Sequence, residues 1–132
     1  MIRVMITQTT PEIPEATMAL YRASAAKRQA EAEQLLQGRF ARAWRVAGQA
    51  AELLKTEFGA QRVVVFGSLL QPELFHVRSD VDLAAWGIDE QFYYRAVAQL
   101  LSLDPEISLD LVRVEDASPS LQATILRDGG EL

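Results

Sequence analysis

Asp80 and Asp82 sit two residues apart in the run SDVDLAAW, and a third aspartate, Asp110, interrupts the apolar run ISLDLVRV. In an extended strand, residues two apart point to one face, with Cα atoms about 6.5–7 Å apart. Asp80 and Asp82 are therefore expected side by side, with Val81 and Leu83 turned the other way into a core. Two anions at this spacing repel, and Asp is a poor strand former, so the strand gains nothing from them. A cation between them removes the conflict. An all-oxygen ligand set suits magnesium, which takes one or two carboxylates and completes its shell with water and phosphate oxygens.

Asp110, flanked by Leu109 and Leu111, is a costly charge in an apolar strand unless it is paired. If its strand neighbours the one carrying Asp80 and Asp82, three carboxylates converge. They could then hold two divalent ions roughly 3.5–4 Å apart, the arrangement that clamps the attacking and leaving oxygens in nucleotidyl transfer. Gly67-Ser68, at the end of the apolar run RVVVFG, supplies a complement. A glycine at a strand end lets backbone approach a phosphate, the following N–H groups can cradle it, and Ser68 adds a hydroxyl donor. The plainer readings are Asp80 as a strand-entry residue and Asp110 as the partner of Arg62 or Arg113. His76 falls in the intervening loop and is expected to be exposed. Trp44, Trp86, Tyr93 and Tyr94 read as core or edge aromatics, although Trp86 shares the face of Asp80 and Asp82 and could stack on an adenine.

The elements that must position these groups follow from periodicity. Two prolines in TTPEIPEA break any regular element, so residues 1–14 read as a loose leader, and Met18 just beyond is a candidate start. Residues 15–37 are rich in Ala, Glu, Gln, Lys and Arg and predict a helix with a thin apolar stripe. Beyond Gly38, the residues Phe40, Trp44, Ala47, Ala51, Leu54 and Phe58 alternate four and three apart and predict a second helix with a core-facing side, closed by Gly59. Strands are expected at 62–67, 80–86 and 107–114. Between the last two, Phe92, Ala96, Leu100 and Leu103 recur at helical spacing. Ser118, Pro119 and Gly129 read as N-cap, first helical residue and stop of a final helix.

Composition narrows the function classes. The 132 residues suit one compact domain, 49% hydrophobic and 23% charged. A net charge of −5 disfavours direct nucleic-acid binding, although Arg22, Lys27, Arg28, Arg39, Arg42 and Arg45 crowd the first third and could face an acidic partner. There is no cysteine and one histidine, which excludes disulfides, thiolate zinc sites and multi-histidine metal centres. No apolar run approaches membrane-spanning length, so no membrane role is expected and the cytoplasm is the default location.

The pattern VVVFGS…SDVDL…ISLDLV resembles the polymerase-β-like nucleotidyltransferase superfamily, whose signature is Gly-Ser, a spacer, Asp-x-Asp and a later third Asp. With no further catalytic subdomain, the chain looks like a minimal nucleotidyltransferase, such as the antitoxin halves of HEPN/MNT toxin–antitoxin modules. The resemblance covers roughly residues 40–132. It implies an α/β (α+β) fold with a small mixed sheet flanked by helices, a minimal nucleotidyltransferase domain at 39–132, and an N-terminal leader and charged helical extension at 1–38. It further implies transfer of AMP from ATP to a hydroxyl, often a tyrosine, on a HEPN-type RNase partner. Gly67 and Ser68 would hold the triphosphate, Asp80 and Asp82 two magnesium ions, and Asp110 the acceptor-side metal while helping to deprotonate the hydroxyl. Relatives often carry a small-Arg-Gly segment after Gly-Ser, where this chain reads LLQPE. That departure leaves room for a non-catalytic module that neutralises its partner by contact. Nucleotidylation of a small molecule ranks last, because this short chain lacks extra substrate-binding structure.

Overall fold

The computed structural model describes residues 12–132, and most of the expected leader lies outside them. Helix α1 runs Glu15–Glu57 without a break at Gly38, where two helices were expected. A glycine inside a helix costs only about 1 kcal/mol relative to alanine, and strong helix formers on both sides outweigh it. The chain divides into two compact units, Met1–Leu35 and Leu36–Leu132. In the first, Leu20 and Tyr21 are exposed on α1.

The second unit holds the sheet. Strand β1 is Arg62–Phe66, β2 Val81–Trp86, β3 Leu109–Arg113 and β4 Gly130–Glu131. Their order is β3-β2-β1-β4. β1 pairs antiparallel with β2 and with β4, and β2 pairs parallel with β3, so the sheet is mixed. Helix α2, Tyr93–Leu101, forms the crossover between the parallel pair, and α3 is Pro119–Asp128. β4 was not expected; two residues are too few to show strand alternation.

Strand alternation sorts the sheet into two faces. Val63, Val65, Val81, Leu83, Leu109 and Leu111 form one buried cluster with Ala43, Ala47, Ala50 and Leu54 of α1 and with Ala96 and Leu100 of α2. On the other face Val64 and Ala84 pack with Val114 and with Ile125 of α3. The end of α1 is set by Gly59, whose φ of +70° turns the chain so that the Ala60 N–H donates to the Leu54 carbonyl. The start of α3 follows its sequence signature, with the Ser118 hydroxyl accepting from the Leu121 N–H and Pro119 at the first helical position.

Two of the basic residues of the first third, Arg39 and Arg42, are bonded within this fold. Arg42 donates to both carboxylate oxygens of Asp104, at 2.9 Å for the Nη2–Oδ1 bond, and also to Glu106. Arg39 donates to the Glu106 carbonyl. Asp104 is buried, and a fork of this kind, together with the Glu106 N–H, satisfies its charge. The turn before β3 is thereby fastened to α1.

Leu54 is completely buried where α1 meets the sheet. Leu54→Ala is expected to lower stability by about 2–5 kcal/mol, read as a fall in the urea midpoint at unchanged slope. A loss below half a kilocalorie, on the order of an ordinary surface substitution, would contradict that packing.

Candidate active site

Asp82 and Asp110 are register partners in the parallel β2–β3 pair, so their side chains leave the same face of neighbouring strands about 4.8 Å apart. Val81 and Leu83 on β2 are fully buried on the opposite face, as the alternation required. Asp80 lies one residue before β2 rather than inside it and is exposed. The face bearing Asp82 and Asp110 is covered by α3 around Ala84, Val64 and Val112, while the two aspartates lie towards the start of β2.

Gly67 closes this arrangement from the turn that follows β1. It has φ +78°, and a Cβ placed on it would overlap the Asp82 carboxylate. Its neighbour Phe66 is the register partner of Asp82. The glycine therefore serves two ends: a left-handed turn and close approach of backbone to a carboxylate. Gly67–Leu70 forms a 3-10 turn, followed by a second at Pro72–Leu74. The segment LLQPELF is anchored by burial of Leu69 and Phe75, which uses it as packing rather than as a source of cations. After Gly67-Ser68 the first lysine or arginine in sequence is Arg78, which is exposed. His76 is exposed as expected, and its ring Nδ1 accepts from the Arg78 N–H.

Asp80 stands at the entry of β2, as its plainer reading had it, whereas the ion-pair reading of Asp110 fails. Arg62 pairs with Glu131 and Arg113 with Asp116, so neither is the partner of Asp110. Burial, then the charges of Asp110 and Asp80, push the Asp82 carboxyl from the ordinary 3.8 up to about 6. Among the described residues no three His, Cys, Asp or Glu side chains are gathered closely enough to cage an ion by themselves. Magnesium needs no such cage: one or two carboxylates suffice when phosphates and water complete the shell. The all-oxygen donors and the mutual repulsion of these carboxylates fit a hard divalent cation.

The aromatics separate from the site. Trp86 shares the face of Asp82 but lies four residues along β2, about 13 Å away. The Arg62 guanidinium covers its ring at 4.6 Å. Trp44 and Tyr93 pack against the core, whereas Tyr94 is exposed. Sequence periodicity gave no sign that the Tyr93 hydroxyl donates to the Leu111 carbonyl at 2.6 Å, next to Asp110. Burial pushes the Tyr93 pKa up, and the charges of Tyr94, Asp110 and Asp116 add to it.

The raised Asp82 pKa means that the folded chain holds a proton that the unfolded chain has released between about pH 4 and 6. Its contribution to stability is therefore intact below about pH 4 and lost as pH rises through about 6. In metal-free protein, Asp82→Asn is expected to resist urea better than the wild type at pH 8, with the gap closing towards pH 4. Paired urea titrations across that range would show it, and a gap independent of pH would contradict it. Gly67→Ala should be destabilised at every pH, by on the order of 1–3 kcal/mol, because it strains the turn and displaces Asp82.

The geometry agrees with known folds. The model for the family "Polymerase beta, Nucleotidyltransferase" matches residues 49–132, more than half of the chain. No curated protein matches. Among solved structures, a toxin–antitoxin with AMP-PNP is similar at TM-score 0.52 and 26% identity, over 61% of this chain and 66% of that one. A mutant of the toxin–antitoxin MntA-HpeT is similar at TM-score 0.54 and 25% identity, over 64% and 69%. A tri-AMPylated Shewanella oneidensis HEPN toxin in complex with MNT antitoxin shares the fold, at TM-score 0.50 and 21% identity over 67% and 70%. The chain thus spans just under two thirds of the first of these proteins. With the matched segment reaching from the second half of α1 through all four strands, the chain belongs to the polymerase beta nucleotidyltransferase family.

Proposed function

We propose that this nucleotidyltransferase transfers AMP from ATP to a hydroxyl, a tyrosine, of a HEPN RNase toxin, and thereby acts as its antitoxin. The observation that carries the reading is the register of Asp82 against Asp110, with Asp80 one residue before β2 and Gly67 against Asp82. The similarity to toxin–antitoxin proteins, one with AMP-PNP, supports the nucleotide and the kind of partner. In this reading residues 39–132 are the catalytic domain and 1–38 an extension.

The acceptor oxygen attacks the α-phosphorus of ATP. One O–P bond forms, the α–β anhydride bond breaks, and pyrophosphate leaves with the electron pair. The acceptor proton passes to the Asp110 carboxylate and on to solvent. Gly67 and Ser68 hold the triphosphate through backbone N–H groups and the Ser68 hydroxyl. Asp80, Asp82 and Asp110 would hold magnesium, which neutralises charge on the phosphates and the departing oxygen. Gly67 keeps Asp82 in place for this task.

Incubating the chain with ATP, magnesium and the product of the adjacent gene is expected to add mass to that partner in AMP increments. Asp80→Ala with Asp82→Ala should abolish the addition, and Asp110→Asn should slow it by about 10²–10⁴-fold. No addition to a fresh partner would overturn the reading. Neutralisation that survives the double variant would transfer the antitoxin role to contact alone.

A further inference from the structure

We infer that the outer edge of β3, which no strand among the described residues covers, docks the acceptor protein as an extended, basic segment, which brings its hydroxyl beside Asp110. The inference rests on the transfer reaction proposed above. It arises from the sheet order, in which β3 is an outer strand and no strand among the described residues pairs on its far side. The Ser108 carbonyl accepts from the Val81 N–H. In a parallel ladder backbone direction alternates by residue, so Asp110 and Val112 bond towards β2 while Leu109, Leu111 and Arg113 present their N–H and C=O groups outward. The Tyr93 hydroxyl occupies the Leu111 carbonyl from that outer side, in agreement with the alternation, so a docked segment pairs there through the Leu111 N–H and the groups of Leu109 and Arg113.

A cavity of about 420 Å³ opens along this edge, lined by Tyr93, Val112, Arg113, Asp116, Ser118 and Leu121 among others. Its wall joins the outward edge of β3 to Val112, which shares the face of Asp110. An extended segment added here would place one residue directly across from Asp110, with its side chain on the same face about 5 Å away. A tyrosine, serine or threonine at that register brings its hydroxyl to the carboxylate. A neighbouring side chain, two residues on, falls into the cavity.

Charge sets the class of segment. Glu90, Glu115 and Asp116 all act on Arg113, and Asp110 and Asp116 both act on Tyr93. Three carboxylates, Glu90, Glu115 and Asp116, thus act on one guanidinium, which Asp116 already engages. A complementary partner carries Lys or Arg on either side of the hydroxyl residue. Exposed sheet edges are usually blunted or covered, and on the other side of the sheet β4 covers β1 at Val64 and Val65. The β3 edge carries an acidic rim instead, which repels a second copy of this acidic chain and admits a basic one.

The test needs no turnover. Short synthetic peptides with a central tyrosine, flanked by arginines in one set and glutamates in the other, are titrated against the whole chain with NMR hydrogen exchange. The basic set is expected to bind at least about tenfold more tightly and to slow exchange at Leu109, Leu111 and Arg113. Glu90→Lys with Asp116→Asn should remove that preference while ATP affinity and thermal midpoint hold. Equal binding of the two sets, no binding, or protection confined to α1 would overturn the inference. Edge protection by basic peptides, with no AMP added to a fresh protein partner, would instead uphold docking and sink the reaction. AMP transfer to a protein partner that protects another surface would do the reverse.

Discussion

Two neighbouring parallel strands cannot be joined by a tight turn, so the chain must leave the sheet, cross it and return in the same direction. Here α2 is that crossover, and its return fixes which residue of β3 meets Asp82. A slip of one residue would turn Asp110 into the buried face and Leu111 out of it. The cluster of Ala96 and Leu100 with Leu109 and Leu111 opposes that slip, because every alternate residue of β3 is already claimed by the core. Packing on the closed face therefore holds two like charges together on the open one.

Those charges are a standing electrostatic burden rather than a source of stability. The carboxylates of Asp82 and Asp110 repel, and neither of the arginines that could relieve Asp110 turns to it. Buried Asp104 shows what a structural carboxylate looks like in this fold, with a two-pronged guanidinium and a backbone N–H upon it. Its pKa is lowered, chiefly by the Glu106 N–H, whereas that of Asp82 is raised. One fold thus holds its anchoring and its candidate reacting carboxylates in opposite electrostatic settings.

Much of this was legible in residue pattern. Runs of Val around 63–65 and of alternating apolar residues at 81–85 and 109–112 marked the three main strands, and Ser118, Pro119 and Gly129 bounded α3 because caps act locally. The parallel pairing that joins Asp82 to Asp110 could only be posed as a condition, since it depends on contacts distant in sequence. The continuity of α1 through Gly38 was missed because a breaker signal of about 1 kcal/mol was weighed without its neighbours. Asp80 fell just outside β2, within the ordinary uncertainty of element ends. The partnership of Gly67 with Asp82 was invisible to spacing, since two separate strands must first be laid side by side.

Both tryptophans ended up in the framework. Trp44 stands edge-on to Phe40 beside the main core, and Trp86 lies beneath Arg62 at the far end of β2 from Asp82. Intrinsic fluorescence therefore monitors the integrity of the scaffold, through Trp44 beside the main core and Trp86 on β2. The chain carries its own internal standard. Emission can certify that a silent variant is still folded, so that its silence belongs to chemistry.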